Sequence, residues 1–197
     1  MRKLLNIIMM AACGVIILAG MAFTRSAGVR TPDALFEEAV RIIKKYETIH
    51  QPRHWPFVGY GHKVLPGEKF SRKRALTEAE ADKILRKDLL KNCAAFREFG
   101  KDSLLLGVLA YNIGSGAVKR SSIVKMLRQG NRDFEEVYIS HCRYRGKVHK
   151  QIQQRRKEEF ATLYIAEEEA KEKREPPGLW AQLPLPPVHD PLNIINR

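Results

Sequence analysis

The chain reads as an α+β domain that is mostly α: a helical lobe around one buried central helix, with a small β-containing lobe inserted after the first helix. Three observations predict this. The run Ser103 to Ile113, SLLLGVLAYNI, is apolar on almost every side, which describes a helix enclosed by others. Helix-start signals stand at Thr31-Pro32-Asp33 and at Leu76-Thr77-Glu78-Ala79-Glu80. Between them, residues 51–70 break the helical pattern with Pro52, Pro56 and Pro66, and Gly59 and Gly61 permit tight backbone. At 197 residues and 44% hydrophobic content, the chain can bury one real core and still carry extensions.

From the N-terminus, Arg2 and Lys3 precede an uncharged run from Leu4 to Phe23, long enough for a helix to span a bilayer. The basic start and the small residues near Gly20-Met21-Ala22 suit a secretory signal equally. Met10-Ala11-Ala12-Cys13 also approximates a lipoprotein signal. Residues 1–23 are therefore expected to be a signal peptide or an N-terminal membrane anchor. The protein is expected to be exported, to the periplasm or cell envelope. Residues 24–30 read as a linker and 31–170 as the folded domain.

In that domain Thr31 caps a first helix, along which Phe36, Val40 and Ile43 recur on one face. Glu47 falls about three turns after Phe36, at the end of the same stripe. Trp55 to Tyr60 suits a short strand. Thr77 and Glu80 form a capping box, and Ala81, Ile84, Leu85 and Leu89 give the next helix its buried face. Gly114-Ser115-Gly116 ends the central helix. Ser121 or Ser122 caps another, which stops at Gly130, and Asn131 caps one containing Phe134, Val137 and Tyr138. A basic helix is expected from His149 to Ala170. Residues 171–197 hold six prolines, from Pro176 to Pro191, and read as an extended tail.

The net charge of +13 and pI near 9.8 call for an anionic partner: a wall polymer, an anionic membrane surface or nucleic acid. Nucleic acid is not expected, because the basic segment HKQIQQRRKEEF is diluted by Glu158 and Glu159 and lacks stacking aromatics. The spacing of Cys13, Cys93 and Cys142 fits no zinc motif, and neither metal nor cofactor is expected. Cys93 and Cys142 read either as a disulfide or as two buried apolar residues.

Chemistry concentrates in YETIHQPRHWPFVGYGHKV, Tyr46 to Val64. A carboxyl at the end of an apolar stripe, beside aromatics, is expected to be partly desolvated. Desolvation disfavours the anion and leaves a proton available to a leaving group. Here the sequence resembles the phage-type lysozymes, glycoside hydrolase family 24. The resemblance runs in order through Tyr46-Glu47, Phe57-Val58-Gly59-Tyr60-Gly61-His62, Leu76-Thr77-Glu78-Ala79-Glu80-Ala81, Ala110-Tyr111-Asn112-Ile113-Gly114-Ser115-Gly116-Ala117 and Gln154-Arg155-Arg156-Lys157-Glu158-Glu159. It covers about residues 31–165.

The resemblance implies a lysozyme-like two-lobed domain with a cleft between the lobes. It implies cleavage of the N-acetylmuramic acid to N-acetylglucosamine bond of peptidoglycan glycan strands by a monomer, with Glu47 as general acid and Tyr60 and Asn112 along the sugar groove. His62 is assigned a structural role, hydrogen-bonded across to the helical lobe. The family's second acid is missing. Pro56 stands where its Asp is expected and Phe57 where its Thr is, and no acid lies between Glu47 and His62. The candidates for a base are His54, His50 and Glu68. A lytic transglycosylase using Glu47 alone, and an inactive wall-binding part of an envelope-spanning machine, are the alternatives.

Overall fold

The computed structural model describes residues 30–166. The expected signal or anchor in residues 1–23 and the Pro-rich tail lie outside the described residues. Among the described residues, no helix is long and apolar enough to cross a membrane.

Helix α1 spans Pro32–Tyr46, with the Thr31 hydroxyl accepting the Ala34 N–H at 3.2 Å and Glu47 as C-cap. It buries Leu35, Ala39, Val40, Ile42 and Ile43. A short 3-10 turn, Pro52–His54, leads into strands β1 (Phe57–Val58) and β2 (His62–Lys63), paired antiparallel with Val58 opposite His62. The strand expected over residues 55–60 is thus two residues long. Gly59 and Gly61, both at positive φ, reverse the chain, and a side chain on Gly59 would press on Ala81 at 3.4 Å. That approach seats the turn against α2 (Glu78–Ala94), whose Thr77–Glu80 capping box is formed as expected.

Helix α3, Ser103–Ile113, is the enclosed helix: every residue from Ser103 to Ala110 is buried. It packs tightly on α2 because Gly107 has no side chain. A Cβ there would stand 2.5 Å from Cys93 Sγ. Cys93 and Cys142 are both buried free thiols, the second of the two readings. Gly114, at φ 85°, turns the chain into α4 (Ser115–Lys119), and α5 follows over Ser122–Arg128.

Three expectations need correcting here. Asn131 does not cap a helix. Its side chain accepts the Asp133 N–H at 2.8 Å in a local turn, and α6 begins later, over Glu135–Ser140. A hairpin that the periodicity did not reveal follows α6: β3 (Arg143–Tyr144) and β4 (Lys147–Val148). The last described helix, α7, runs Lys150–Leu163 and stops short of Ala170. Tertiary contacts end it. Tyr164 stacks on Phe160 with ring centroids 4.6 Å apart, and Arg132 donates to the Ile165 carbonyl at 2.9 Å, drawing the chain off the helix axis.

Candidate active site

Glu47 sits where α1 turns from helical to extended backbone, at φ −107° and ψ 124°. Its expected apolar setting is not what forms. Oε1 accepts from Arg155 Nη1 at 2.6 Å and from Asn112 Nδ2 at 3.5 Å. The carboxyl side chain is 24% exposed while that of Arg155 is 5% exposed. The glutamate therefore reaches the surface, and the cation that holds it does not. Oε2 has no protein partner among the described residues.

Behind this pair lies a buried charged network. Arg155 Nε donates to Glu159 Oε1 at 2.7 Å, and Tyr138 donates to Glu159 Oε2 at 2.9 Å. Arg156 binds both Glu159 Oε2 and Asn112 Oδ1 by very short hydrogen bonds. Glu159 and Arg156 are fully buried. One carboxylate thus anchors two arginines, of which one grips Glu47 and the other grips the amide beside it. Burial works against the charge of Arg155, but Glu159 and Glu47 more than offset this, and its pKa lies above the ordinary guanidinium value. Burial and Glu159 push the Tyr138 phenol well up, so it stays a donor. Arg155 Nη2 is sealed from solvent without a protein partner, the kind of orphan donor that a bound water normally satisfies.

Asn112 is exposed, and its amide lies between Glu47 and Arg156. Tyr60 is corrected. Its ring is only 6% exposed and its hydroxyl donates to both Glu78 oxygens at 2.7 Å, so it is a core tie with no free face for a sugar. Burial and the Glu78 carboxylate push its phenol up to about 12. The Tyr60 carbonyl accepts the Tyr111 hydroxyl at 2.8 Å, fastening the Gly-Tyr-Gly turn to α3.

The candidate bases separate clearly. His54 is corrected: its Nδ1 accepts the Gln51 N–H at 3.0 Å, so in the neutral ring the proton sits on Nε2 and the one lone pair is already taken. Glu68 Oε2 accepts the Leu65 N–H and contacts His62 Nε2, both at 2.8 Å. Against the desolvation of burial, these partners hold its carboxyl below the usual range. His62 meets Asp88 of α2 through Nδ1 at 2.7 Å, linking the β-containing segment to the helices. Asp88 and then Glu68 raise its pKa against the opposing effect of burial. His50 keeps a free nitrogen. Its Nδ1 faces the Gly59 carbonyl at 3.1 Å and must carry the proton, which leaves the Nε2 lone pair open.

Sequence reasoning picked out Glu47 and the Arg-Arg-x-x-Glu segment without joining them. Arg155, Arg156, Glu159 and Tyr138 are the site residues it missed. The signal available was three charged residues on one helix turn of a segment too regular to be a solvated surface: Arg155, Arg156 and Glu159 lie at spacings of three and four. Among the described residues, no cluster of His, Cys, Asp or Glu could hold a metal ion.

The chain is similar to several known proteins. The chain is 29% identical over 148 residues to an endolysin of Bacillus phage B103, an alignment that takes in 67% of this chain and 51% of the endolysin, so the chain spans about half that relative's length. Its fold is similar to the muramidase domain of SpmX from Asticaccaulis excentricus (TM-score 0.55, 21% identity, 66% of this chain and 96% of that one). It is also similar to the endolysin of Escherichia coli O157:H7 phage FAHEc1 (TM-score 0.52, 22% identity, 64% of this chain and 90% of that one). Both likenesses support a lysozyme-like fold for this chain, which is mostly helical with small two-stranded sheets. The family description "Phage lysozyme" matches residues 43–159, from the last turn of α1 through Glu159, and the chain belongs to the phage lysozyme family.

Proposed function

We propose that this chain is a peptidoglycan glycosidase that cleaves the N-acetylmuramic acid to N-acetylglucosamine bond, with Glu47 as proton donor. One observation carries the reading: Arg155 holds Oε1 of Glu47 at 2.6 Å, with Asn112 Nδ2 beside it at 3.5 Å, and Oε2 is left without a protein partner among the described residues. A proton on Oε2 is the one a glycosidic oxygen can take. The buried network fixes the direction of that oxygen before substrate arrives, which is the preorganisation that general acid catalysis needs. In the hydrolytic form, a water attacks the anomeric carbon and gives its proton to a base, for which His50 Nε2 is the available group. The family membership supports the substrate class.

A second reading has its own support. No acid stands between Glu47 and His62, the His54 Nδ1 lone pair is taken by the Gln51 N–H, and Glu68 is tied to His62 through Oε2. If the sugar's own hydroxyl attacks, no separate base is needed: Glu47, having given up its proton, takes it back from that hydroxyl. The products then carry anhydro ends instead of reducing ends.

The test is digestion of purified peptidoglycan by the wild-type chain, Glu47→Gln and His50→Ala, with mass spectrometry of the soluble products. Glu47→Gln is expected to abolish turnover and keep the fold. Reducing ends together with a loss of about 10²-fold or more in His50→Ala mean hydrolysis. Anhydro ends with His50→Ala active mean transglycosylation. Sedimentation with intact wall and no soluble product would sink both and leave a wall-binding module. Export, by a cleaved signal or an anchor in residues 4–23, is part of the proposal. It is supported by that uncharged run and by the wall location of the substrate.

A further inference from the structure

The β3–β4 hairpin is built unlike the rest of the domain. Every residue from Arg143 to Lys150 is exposed, including Tyr144 at 57% and Val148 at 52%, so the ribbon contributes little to any core. Two-residue strands exposed on both faces have little stability of their own. Yet the roots of the hairpin are fastened. The His149 N–H donates to the Cys142 carbonyl at 2.9 Å, and Arg156 Nε donates to the His141 carbonyl at 3.1 Å. This is the arginine that also binds Asn112 and Glu159. The hairpin thus springs from the same network that holds Glu47.

Its chemistry has one sign. No Asp or Glu occurs between Glu136 and Glu158, while Arg143, Arg145, Lys147 and Lys150 all lie on or beside the ribbon. None of the four is in an ion pair among the described residues. Arg143 turns back to the Gly146 carbonyl at 3.0 Å, and Arg145 lies over the Tyr144 ring, 5.3 Å from its centroid. The turn itself is Arg145-Gly146, with φ of 51° and 79°. Asn, Asp or Gly normally fill the first place of such a turn, because a bulky side chain at positive φ is strained. An arginine held there puts a cation at the outermost point of an arm against local preference.

We infer that this hairpin is a second contact for the wall strand: its cations take the carboxylates of the peptide stems that hang from the glycan. The inference rests on the glycan reading above. Of the anions open to a basic arm, stem carboxylates are the ones that come with a glycan strand already lying at Glu47. The rooting on Arg156 favours them over a partner remote from the site. The hairpin would distinguish stem-bearing wall from bare glycan.

The test uses the full chain carrying Glu47→Gln, so that no bond is cut, with Arg145→Asn and Lys147→Gln added. Asparagine tolerates positive φ, so the turn survives. Calorimetric titrations are run with glycan oligomers bearing their stems and with the same oligomers stripped by an amidase. The added pair is expected to weaken binding of stem-bearing oligomers about tenfold and leave bare oligomers unchanged. Equal weakening on both, or none on either, overturns the inference. So does loss of binding to anionic phospholipid vesicles with both titrations unchanged, which would make the arm a membrane contact. Failure of the chain with Glu47 intact to digest wall would count against the glycosidase reading alone, because the titrations need no turnover.

Discussion

The helical flank of Glu47 and the segment that follows it solve opposite problems. On the helical flank, Arg155, Arg156 and Glu159 are buried, mutually paired and tied to Tyr138 and Asn112. In the segment from Thr48 to His62 there is no acid at all, and its histidines are spent mostly on local backbone, as at Gln51 and Gly59. One side holds the Glu47 carboxyl through buried ion pairs; the other supplies no second carboxylate. The contrast teaches that the placement of Glu47 is set by the helical flank and not by the segment that follows it. That placement rests on a charge cluster that is expensive to desolvate and therefore hard to alter piecemeal.

The largest effect should come from breaking that cluster. Glu159→Ala leaves two buried guanidinium groups without their shared counter-ion. It is expected to destabilise the domain by about 3–5 kcal/mol in urea unfolding. Glu159→Gln, which keeps the shape and one acceptor, should cost less and lower kcat more than it changes KM, because Arg155 and Asn112 would lose their alignment on Glu47. If Glu159→Ala unfolds like a surface mutant, within about 0.5 kcal/mol of wild type, the network is not the frame of the site.

The same contrast explains what could be read from the chain in advance. Helices α1 and α2 were legible at their starts, because Thr31, Thr77 and Glu80 cap by hydrogen bonds spanning three residues; α3 was legible from its apolar run and from Gly114, which ends it by its own φ. Glu47 was legible as the end of a stripe, but its surroundings were not: Arg155 is 108 positions away, and no local period reports a pairing of that span. The end of α7 depends on Arg132 and Tyr164 contacts, again nonlocal. The β3–β4 hairpin was missed because strands of two exposed residues carry no apolar alternation, and its Arg145-Gly146 turn lacks the usual Asn or Asp.

A smaller effect is expected where the β-containing segment is tied down. His62→Ala removes both the Asp88 and Glu68 contacts, whose side chains are 23% and 27% exposed. Charge-assisted hydrogen bonds of this kind are worth about 1.5–3 kcal/mol each when well shielded, so partial exposure places the loss below that of Glu159→Ala. The measurement is urea unfolding of the two variants side by side. A larger loss from His62→Ala than from Glu159→Ala would invert the comparison.

The smallest effect is the pH dependence of that tie, and it has a definite sign. The folded pKa of His62 is raised by Asp88 and Glu68 above its ordinary value near 6.5, so the stabilisation is complete below that value and is lost as pH rises through the folded one. The folded pKa of Glu68 is held below its ordinary value of 4.5, so its contribution is present above 4.5 and is lost as pH falls through the folded one. The groups facing His62 are Asp88 from α2, Glu68 from the following loop and the Phe70 ring, 5.7 Å from its centroid. The Tm gap between wild type and His62→Gln should therefore be widest between about pH 5 and 6.5 and narrow as the pH is raised through the folded pKa of His62. A gap that widens toward alkaline pH would mean that His62 is held neutral, and that the tie between the β-containing segment and α2 is an ordinary hydrogen bond rather than an ion pair.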